Sequence, residues 1–140
     1  MKLTLQNQYL AGAVELMQKI PLTGYESIAR TRFVKMFKSP IKILEKSQKS
    51  LLEEYVARDE NGNPVIVAGD QYRITDMGQF QVATNKLLNE KVEIDQPTYT
   101  DHQSDIQRIL MNCSVELSGD DAIIYDALCN ALDVDFEEEQ

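Results

Sequence analysis

Hydrophobic positions spaced three and four residues apart predict helices over most of the chain. The first run follows a short alternating stretch, covers residues 7–19 with Asn7 as its cap, and ends before Pro21. Ser39 and Pro40 predict the start of a later helix, because serine caps helix N-termini and proline fits the first helical position. The predicted helices cover residues 7–19, 25–37, 39–57, 76–89, 101–111 and 118–132.

Alternating hydrophobic and polar positions predict short strands between these helices. Residues 65–67 and 72–74, separated by a loop with Gly69, predict a β-hairpin that we expect to lie on the helices or join another strand. Residues 91–95 and 115–117 predict two more strands. Together the patterns predict a mostly helical α+β fold with a small antiparallel β-hairpin or sheet in the middle of the chain.

The length and composition predict one domain. At 140 residues, with 43% hydrophobic and 26% charged residues, the chain is typical of a soluble globular protein. We expect a single compact domain over residues 1–132 and an acidic C-terminal tail over residues 133–140. No run approaches the ~20 apolar residues of a membrane span, so we expect an intracellular protein that does not enter a membrane.

Charge is distributed unevenly along the chain, whose net charge is −9. Up to Arg58 there are ten lysines and arginines against five acids, a net charge of +5. From Asp59 onward four basic residues face eighteen acids, a net charge of −14. Such a split indicates either that the two halves pack with opposite fields facing each other or that each half meets a different partner.

Two groups of charged residues are candidate partner-binding sites. Five lysines follow one another at helical spacing, and they would form one basic stripe if the helix continued through Pro40. A basic stripe can bind phosphates or carboxylates, but an acidic chain without tryptophan argues against direct nucleic-acid binding and favours a protein partner. The candidates are Lys35, Lys38, Lys42, Lys46 and Lys49 in the first group and Asp120, Asp121 and Asp126 in the second.

No motif in the sequence specifies catalysis, a cofactor or a metal. Residues 59–70 space oxygen ligands like a calcium loop, but Pro64 stands where such a loop needs glycine, so we interpret this segment as a hairpin turn. His102, the single histidine, is interpreted as a solvated surface residue. Cys113 and Cys129 lack the paired spacing of a zinc site, and Cys129 is predicted to lie in the core. We therefore expect no cofactor and no enzyme activity.

Several segments together resemble a group of small uncharacterised proteins of phages and prophages of low-GC Gram-positive bacteria. The segments are KLTLQNQYLAGAVELM, the leucine-threonine break, SIARTRFVKMFK, LLEEYVARDENGNPV and LLNEKVEID, and the resemblance covers about residues 2 to 95. It implies a phage origin and no assigned enzyme activity. No functional residues carry over from it.

These observations leave three hypotheses for the function. The leading one is a non-enzymatic phage protein that binds another protein as an assembly or accessory factor, in the host cytoplasm or on the virion. The alternative is a host-directed, anti-CRISPR-like inhibitor of a defence nuclease, whose acidic surface imitates nucleic acid. The third is a small hydrolase that uses His102. The sequence leaves open whether the protein forms a homo-oligomer.

Overall fold

The computed structural model describes residues 2–95 and 102–136, and this part of the chain has the mostly helical α+β fold that the sequence predicts. Each predicted helix is present, with its ends shifted by at most a few residues. No helix in these ranges is long and apolar enough to cross a bilayer. The elements in chain order are β1 (Lys2–Gln6), α1 (Leu10–Lys19), α2 (Gly24–Lys35), α3 (Lys38–Tyr55), β2 (Ile66–Val67), β3 (Gln71–Tyr72), α4 (Met77–Asn89), β4 (Lys91–Asp95), α5 (His102–Met111) and α6 (Asp120–Ala131).

The larger sheet pairs the first strand with a strand nearly ninety residues later. β1 and β4 are antiparallel, with Leu3 opposite Ile94 and Leu5 opposite Val92. These side chains cover the core, while Lys2 and Thr4 are exposed on the other face. The strand predicted at residues 91–95 is confirmed, and it pairs with the N-terminal stretch rather than with the central hairpin.

The hydrophobic core lies between this sheet and helices α1, α2, α5 and α6. The rings of Phe33 and Phe37 pack edge to face in it, with centroids 5.1 Å apart. A Cβ atom on Gly12 of α1 would lie 2.3 Å from Cδ1 of Ile124 of α6, so these two helices approach each other closely at the glycine. The largest fully buried side chains are Phe33, Phe37, Leu3, Leu10, Leu16, Met17, Ile106, Ile109, Leu110, Leu128 and Leu132.

Residues 38–89, which we call the arm, contribute little to this core. Helices α3 and α4 contain no buried residue. The two helices run antiparallel and pack against each other, and the ring of Tyr55 at the end of α3 lies 5.8 Å from the ring of Phe80 near the start of α4. Ile41 and Leu44, at the start of α3, pack partly buried against the core and form the base of the arm.

The far end of the arm, residues 56–76, is called the tip and contains the predicted hairpin. β2 and β3 pair antiparallel around a short 3-10 turn, with Ile66 opposite Tyr72. Gly69 in this turn has a φ of 77°, a conformation that glycine adopts without the strain of a side chain. The hairpin is confirmed but does not lie on the core, and Ile66 remains 59% exposed.

Asn7 is not the helix cap that the sequence predicts. It lies in a 3-10 turn before α1, where its buried side chain donates a hydrogen bond to the Leu87 carbonyl at 2.9 Å. Its backbone N–H donates to the Glu90 carbonyl, also at 2.9 Å. Asn7 therefore ties the start of the chain to the last turn of α4 at the base of the arm, because a buried amide must find hydrogen-bond partners.

The segment before α6 also differs from the prediction. Residues 115–117 form no strand; Val115 and Leu117 instead pack partly buried on the core within an irregular connection. The alternation of these two residues with exposed polar residues arises because every second side chain contacts the core. It does not require pairing with another strand. The N-cap residue of α6 is Gly119, which has a φ of 55°. Because glycine has no side chain, no side-chain hydrogen bond caps this helix.

The predicted tail begins by folding back onto α6. The Val134 N–H donates to the Cys129 carbonyl at 2.9 Å, and the Phe136 ring lies 6.5 Å from the Tyr125 ring. Residues 137–140 of the predicted tail lie outside the described residues.

Candidate interaction surfaces

Four of the five candidate lysines share one exposed face of α3. Helix α3 begins at Lys38, ahead of the predicted start at Ser39, so it continues through Pro40. Pro40 falls in the first turn, where a missing N–H breaks no intrahelical hydrogen bond. At 100° per residue, the four lysines of α3 lie within roughly 80° of the helix circumference. These residues, which we call the lysine face, are Lys38, Lys42, Lys46 and Lys49.

Lys35 is separated from the lysine face by a corner in the chain. Met36 and Phe37 join α2 to α3, and Phe37 is fully buried in the core. Because Phe37 is anchored there, α2 and α3 do not form the single continuous helix that one stripe of five lysines requires. Lys35 is itself exposed, at the end of α2.

The lysine face is not neutralised by the rest of the described chain. The ion pairs between described residues join Lys2 to Glu93, Lys19 to Asp121, and Arg108 to both Glu26 and Asp105. No lysine of α3 takes part in them. The charge split leaves two alternatives open, and the structure shows the four lysines exposed to solvent with no ion pair to the described residues of the acidic half.

The three acidic candidates do not form a matching surface. Asp121 binds the Lys19 ammonium group at 3.0 Å, so its charge is used within the protein. Asp126 lies roughly 120° around α6 from Asp120, and its carboxylate accepts a hydrogen bond from Asn130. The structure thus places these three carboxylates on different sides of one helix.

The arm also carries exposed hydrophobic side chains that the sequence analysis does not single out. Packing on the helices, one of the two arrangements predicted for the hairpin, would bury its side chains; the hairpin region instead pairs with the chain before it, through bridges of Val56 with Ile74 and of Arg58 with Pro64. Val82 on α4 is 69% exposed and Ile43 on α3 is 62% exposed. Six large hydrophobic residues of the arm are exposed: Ile43, Ile66, Val67, Tyr72, Met77 and Val82.

The calcium-like segment is a hairpin turn, as interpreted from the sequence. The Asp59 carboxylate accepts hydrogen bonds from the N–H groups of Asn61 at 2.9 Å and Asn63 at 3.0 Å. Its oxygen is therefore used to close the turn. Within residues 2–95 and 102–136, no group of three or more metal-ligating side chains lies close together. The side chain of His102 lies outside the described residues.

Both cysteines are free thiols in different environments. Cys113 is partly exposed, and Cys129 is buried in the core as predicted. Burial raises the pKa of Cys129 from 9.0 to about 11, although a hydrogen bond with Tyr125 opposes part of this rise. Burial likewise raises the pKa of Tyr125, whose hydroxyl donates to the Leu110 carbonyl. This region therefore resembles a packed helix contact and lacks an activated thiolate.

We expect iodoacetamide at pH 8 to alkylate Cys129 about a hundredfold more slowly in the folded protein than in urea, because its pKa rises from 9.0 to about 11 on folding and the thiolate fraction falls tenfold per unit. A raised thiol pKa also means that the free energy of unfolding falls between pH 9.0 and about 11, where only the unfolded thiol has lost its proton. Mass spectrometry of labelled Cys113→Ser, folded and in urea, gives the two rates for Cys129 separately. Equal rates would contradict this assignment.

The comparisons with known proteins give a family without a function. The model of a family described as "Protein of unknown function (DUF1617)" matches residues 1–139. Neither the curated proteins nor the solved structures contain a match. Because the family model covers nearly the whole chain, the chain belongs to the DUF1617 family of proteins of unknown function.

Proposed function

We propose that the protein is a non-enzymatic, phage-encoded docking protein that binds a protein partner through its arm. The observation that carries this proposal is that α3 and α4 contain no buried residue while the arm exposes six large hydrophobic side chains. Three of the six, Ile66, Val67 and Tyr72, share the short hairpin, and exposed apolar side chains that lie close together are typical of protein interfaces. The phage origin rests on the resemblance of the sequence segments quoted above.

The lysine face adds a charge preference to this surface. Its four lysines have no ion pair with the other described residues, so their charge is available to a partner. Apolar side chains beside unpaired cations favour a partner whose surface is acidic and partly hydrophobic. The scattered positions of Asp120 and Asp126 give less support to the alternative, inhibition of a nuclease by an imitation of nucleic acid, which needs carboxylates on one surface.

Site-specific photocrosslinking tests this proposal. We expect p-benzoylphenylalanine placed at Val82 or Ile66 to yield a discrete adduct in cells that express the gene from its own genome. Placement at Tyr25 of α2, which is 55% exposed but lies outside the arm, should yield none and serves as the matched control. Mass spectrometry of the adduct identifies the partner.

Charge reversal on the lysine face tests whether the partner is bound specifically through the arm. Lys46→Glu should lower the adduct yield and the affinity for the identified partner about fivefold, since one exposed charge pair contributes up to about 1 kcal/mol. Lys35→Glu makes the same charge change at the exposed end of α2, outside the lysine face, and should leave binding unchanged. Adducts of equal yield from Tyr25 and the arm positions, or none from the arm, would refute docking through the arm.

A further inference from the structure

The outer edge of β1 has backbone hydrogen-bonding groups without partners. The Asn7 N–H donates to the Glu90 carbonyl, so these two residues form a hydrogen-bonded pair at the end of the β1–β4 ladder. Hydrogen-bonded and non-hydrogen-bonded pairs alternate in an antiparallel ladder, so Leu3–Ile94 and Leu5–Val92 are also hydrogen-bonded pairs. The backbone groups of Lys2, Thr4 and Gln6 therefore point away from β4. In the part of the chain that the structure describes, no strand or loop pairs with them.

This edge borders a groove between β1 and α6. The groove has a volume of about 630 Å³, and all five residues of β1 line it together with Tyr9 and Lys91. On its other side, Ala127, Asn130 and Ala131 form one face of α6, and their short side chains leave the groove wide. The residues of β1 extend over roughly 17 Å at 3.4 Å per residue, which is enough for five or six residues of an added strand.

The groove has a charge opposite to that of the whole protein. Among the described residues, its charged lining residues are Lys2 and Lys91, and none is acidic. Glu93 offsets part of the Lys2 charge at 3.2 Å, whereas Lys91 has no ion pair among the described residues. By contrast, Glu90, Glu93 and Asp95 line a second groove of about 350 Å³ between β4 and α3. The two open edges of the sheet therefore differ in charge.

We propose that the groove between β1 and α6 binds an extended segment of a partner protein in which acidic and apolar residues alternate, and that this segment pairs with β1 as a third strand. Backbone pairing at an open strand edge provides affinity, and alternate side chains provide specificity. The acidic residues would face Lys2 and Lys91, while the apolar residues would contact Leu5, Tyr9 and Ala127.

A second copy of the chain fits this edge less well. Each copy has a net charge of −9, so two copies repel each other. A five-residue strand pair also buries far less than the roughly 1,200–2,000 Å² of a stable interface between proteins. In addition, α6 forms a wall beside the edge, which leaves room for a single strand.

Titration of the full chain with a capped hexapeptide of alternating glutamate and valine, followed by NMR, tests the proposal. We expect binding with chemical-shift changes at residues 2–6 and 127–131, and weaker binding at high salt. The matched peptide of lysine and valine should bind at least about fivefold more weakly. A glutamate–valine peptide that is N-methylated at alternate peptide bonds on its pairing edge should not bind. This test does not depend on whether the protein variants fold.

Protein variants assign the pairing to one edge. Thr4→Pro removes an outward N–H and should weaken binding at least about tenfold, because proline on an open edge blocks strand addition. Glu93→Pro makes the same change on the opposite edge and should not weaken it. Lys91→Glu should weaken binding about fivefold, and Lys46→Glu on the arm should have no effect.

Three outcomes would overturn the proposal: no binding at millimolar peptide, equal binding of the N-methylated peptide, or shift changes confined to the β4 edge. A dimer in analytical ultracentrifugation that Thr4→Pro dissociates would assign the edge to a second copy instead. These measurements do not involve the arm. A negative peptide titration would therefore leave docking through the arm untouched, and the photocrosslinking experiment tests that function separately.

Discussion

Phe33→Ala is expected to lower the free energy of unfolding by about 3–5 kcal/mol, which is a large part of the total for a domain of this size. The Phe33 side chain is fully buried, and its ring packs edge to face on Phe37 at 5.1 Å. Its removal leaves a cavity where α2 faces the core, and the loss of transfer free energy adds to the cost of that cavity. Urea denaturation followed by circular dichroism measures the change.

Ile43→Ala is the matched control for Phe33→Ala. Ile43 is also large and apolar, but its side chain on α3 is 62% exposed, so we expect a change within about 0.5 kcal/mol. If Phe33→Ala cost less than 1 kcal/mol on the same scale, the assignment of the core to the region outside the arm would be wrong. If the control is neutral, losses of binding in arm variants can be attributed to the interface.

The sequence predicts the helices well because their signals are local. The run from residue 76 to 89 illustrates this: Asp76 accepts a hydrogen bond from the Gln79 N–H at 3.0 Å, as a capping aspartate does. The polar stretch within α3 predicts a long exposed helix, and α3 indeed has no buried residue. Helical periodicity also orders the four lysines of α3 on one face once the helix is known to pass through Pro40.

The pairing of the strands does not follow from local signals. Leu3 and Leu5 alternate with polar residues in the same way as Val92 and Ile94, but the central hairpin offers equally good strand patterns much closer in the chain. Which strands meet is decided by how the helices between them pack. For this reason the strand at residues 91–95, which the sequence predicts, pairs with β1 and not with the central hairpin.

The candidate surfaces were only partly predictable for a related reason. Spacing gives the position of a charge on a helix, but it does not show whether another element neutralises that charge. Asp121 and Asp120 are neighbours in the sequence, yet only Asp121 has a lysine within reach, the one at the end of α1. The exposure of Ile66 likewise depends on which elements the tip packs against, which is a property of the whole fold.

Gly12→Leu is expected to lower the free energy of unfolding by about 2–3 kcal/mol, although leucine favours a helix over glycine by nearly 1 kcal/mol. The Cβ atom alone would lie 2.3 Å from Cδ1 of Ile124, and the rest of the side chain would force α1 and α6 apart. Gly12→Ala needs only a rotation of the Ile124 terminal methyl group, so its steric cost and its gain in helix propensity should nearly cancel. Thermal and urea unfolding of both variants measure this difference.

A double-mutant cycle tests whether the contact between residue 12 and Ile124 causes the loss of stability in Gly12→Leu. Ile124→Ala removes the atoms that the new side chain meets, so Gly12→Leu should cost at least 1 kcal/mol less in that background than in the original protein. If the two costs were equal, the strain would arise elsewhere on α1, and the close contact of α1 with α6 would not explain the glycine. A favourable coupling would instead show that Gly12 sets the distance between these helices, and with it the position of the α6 wall beside the open edge of β1.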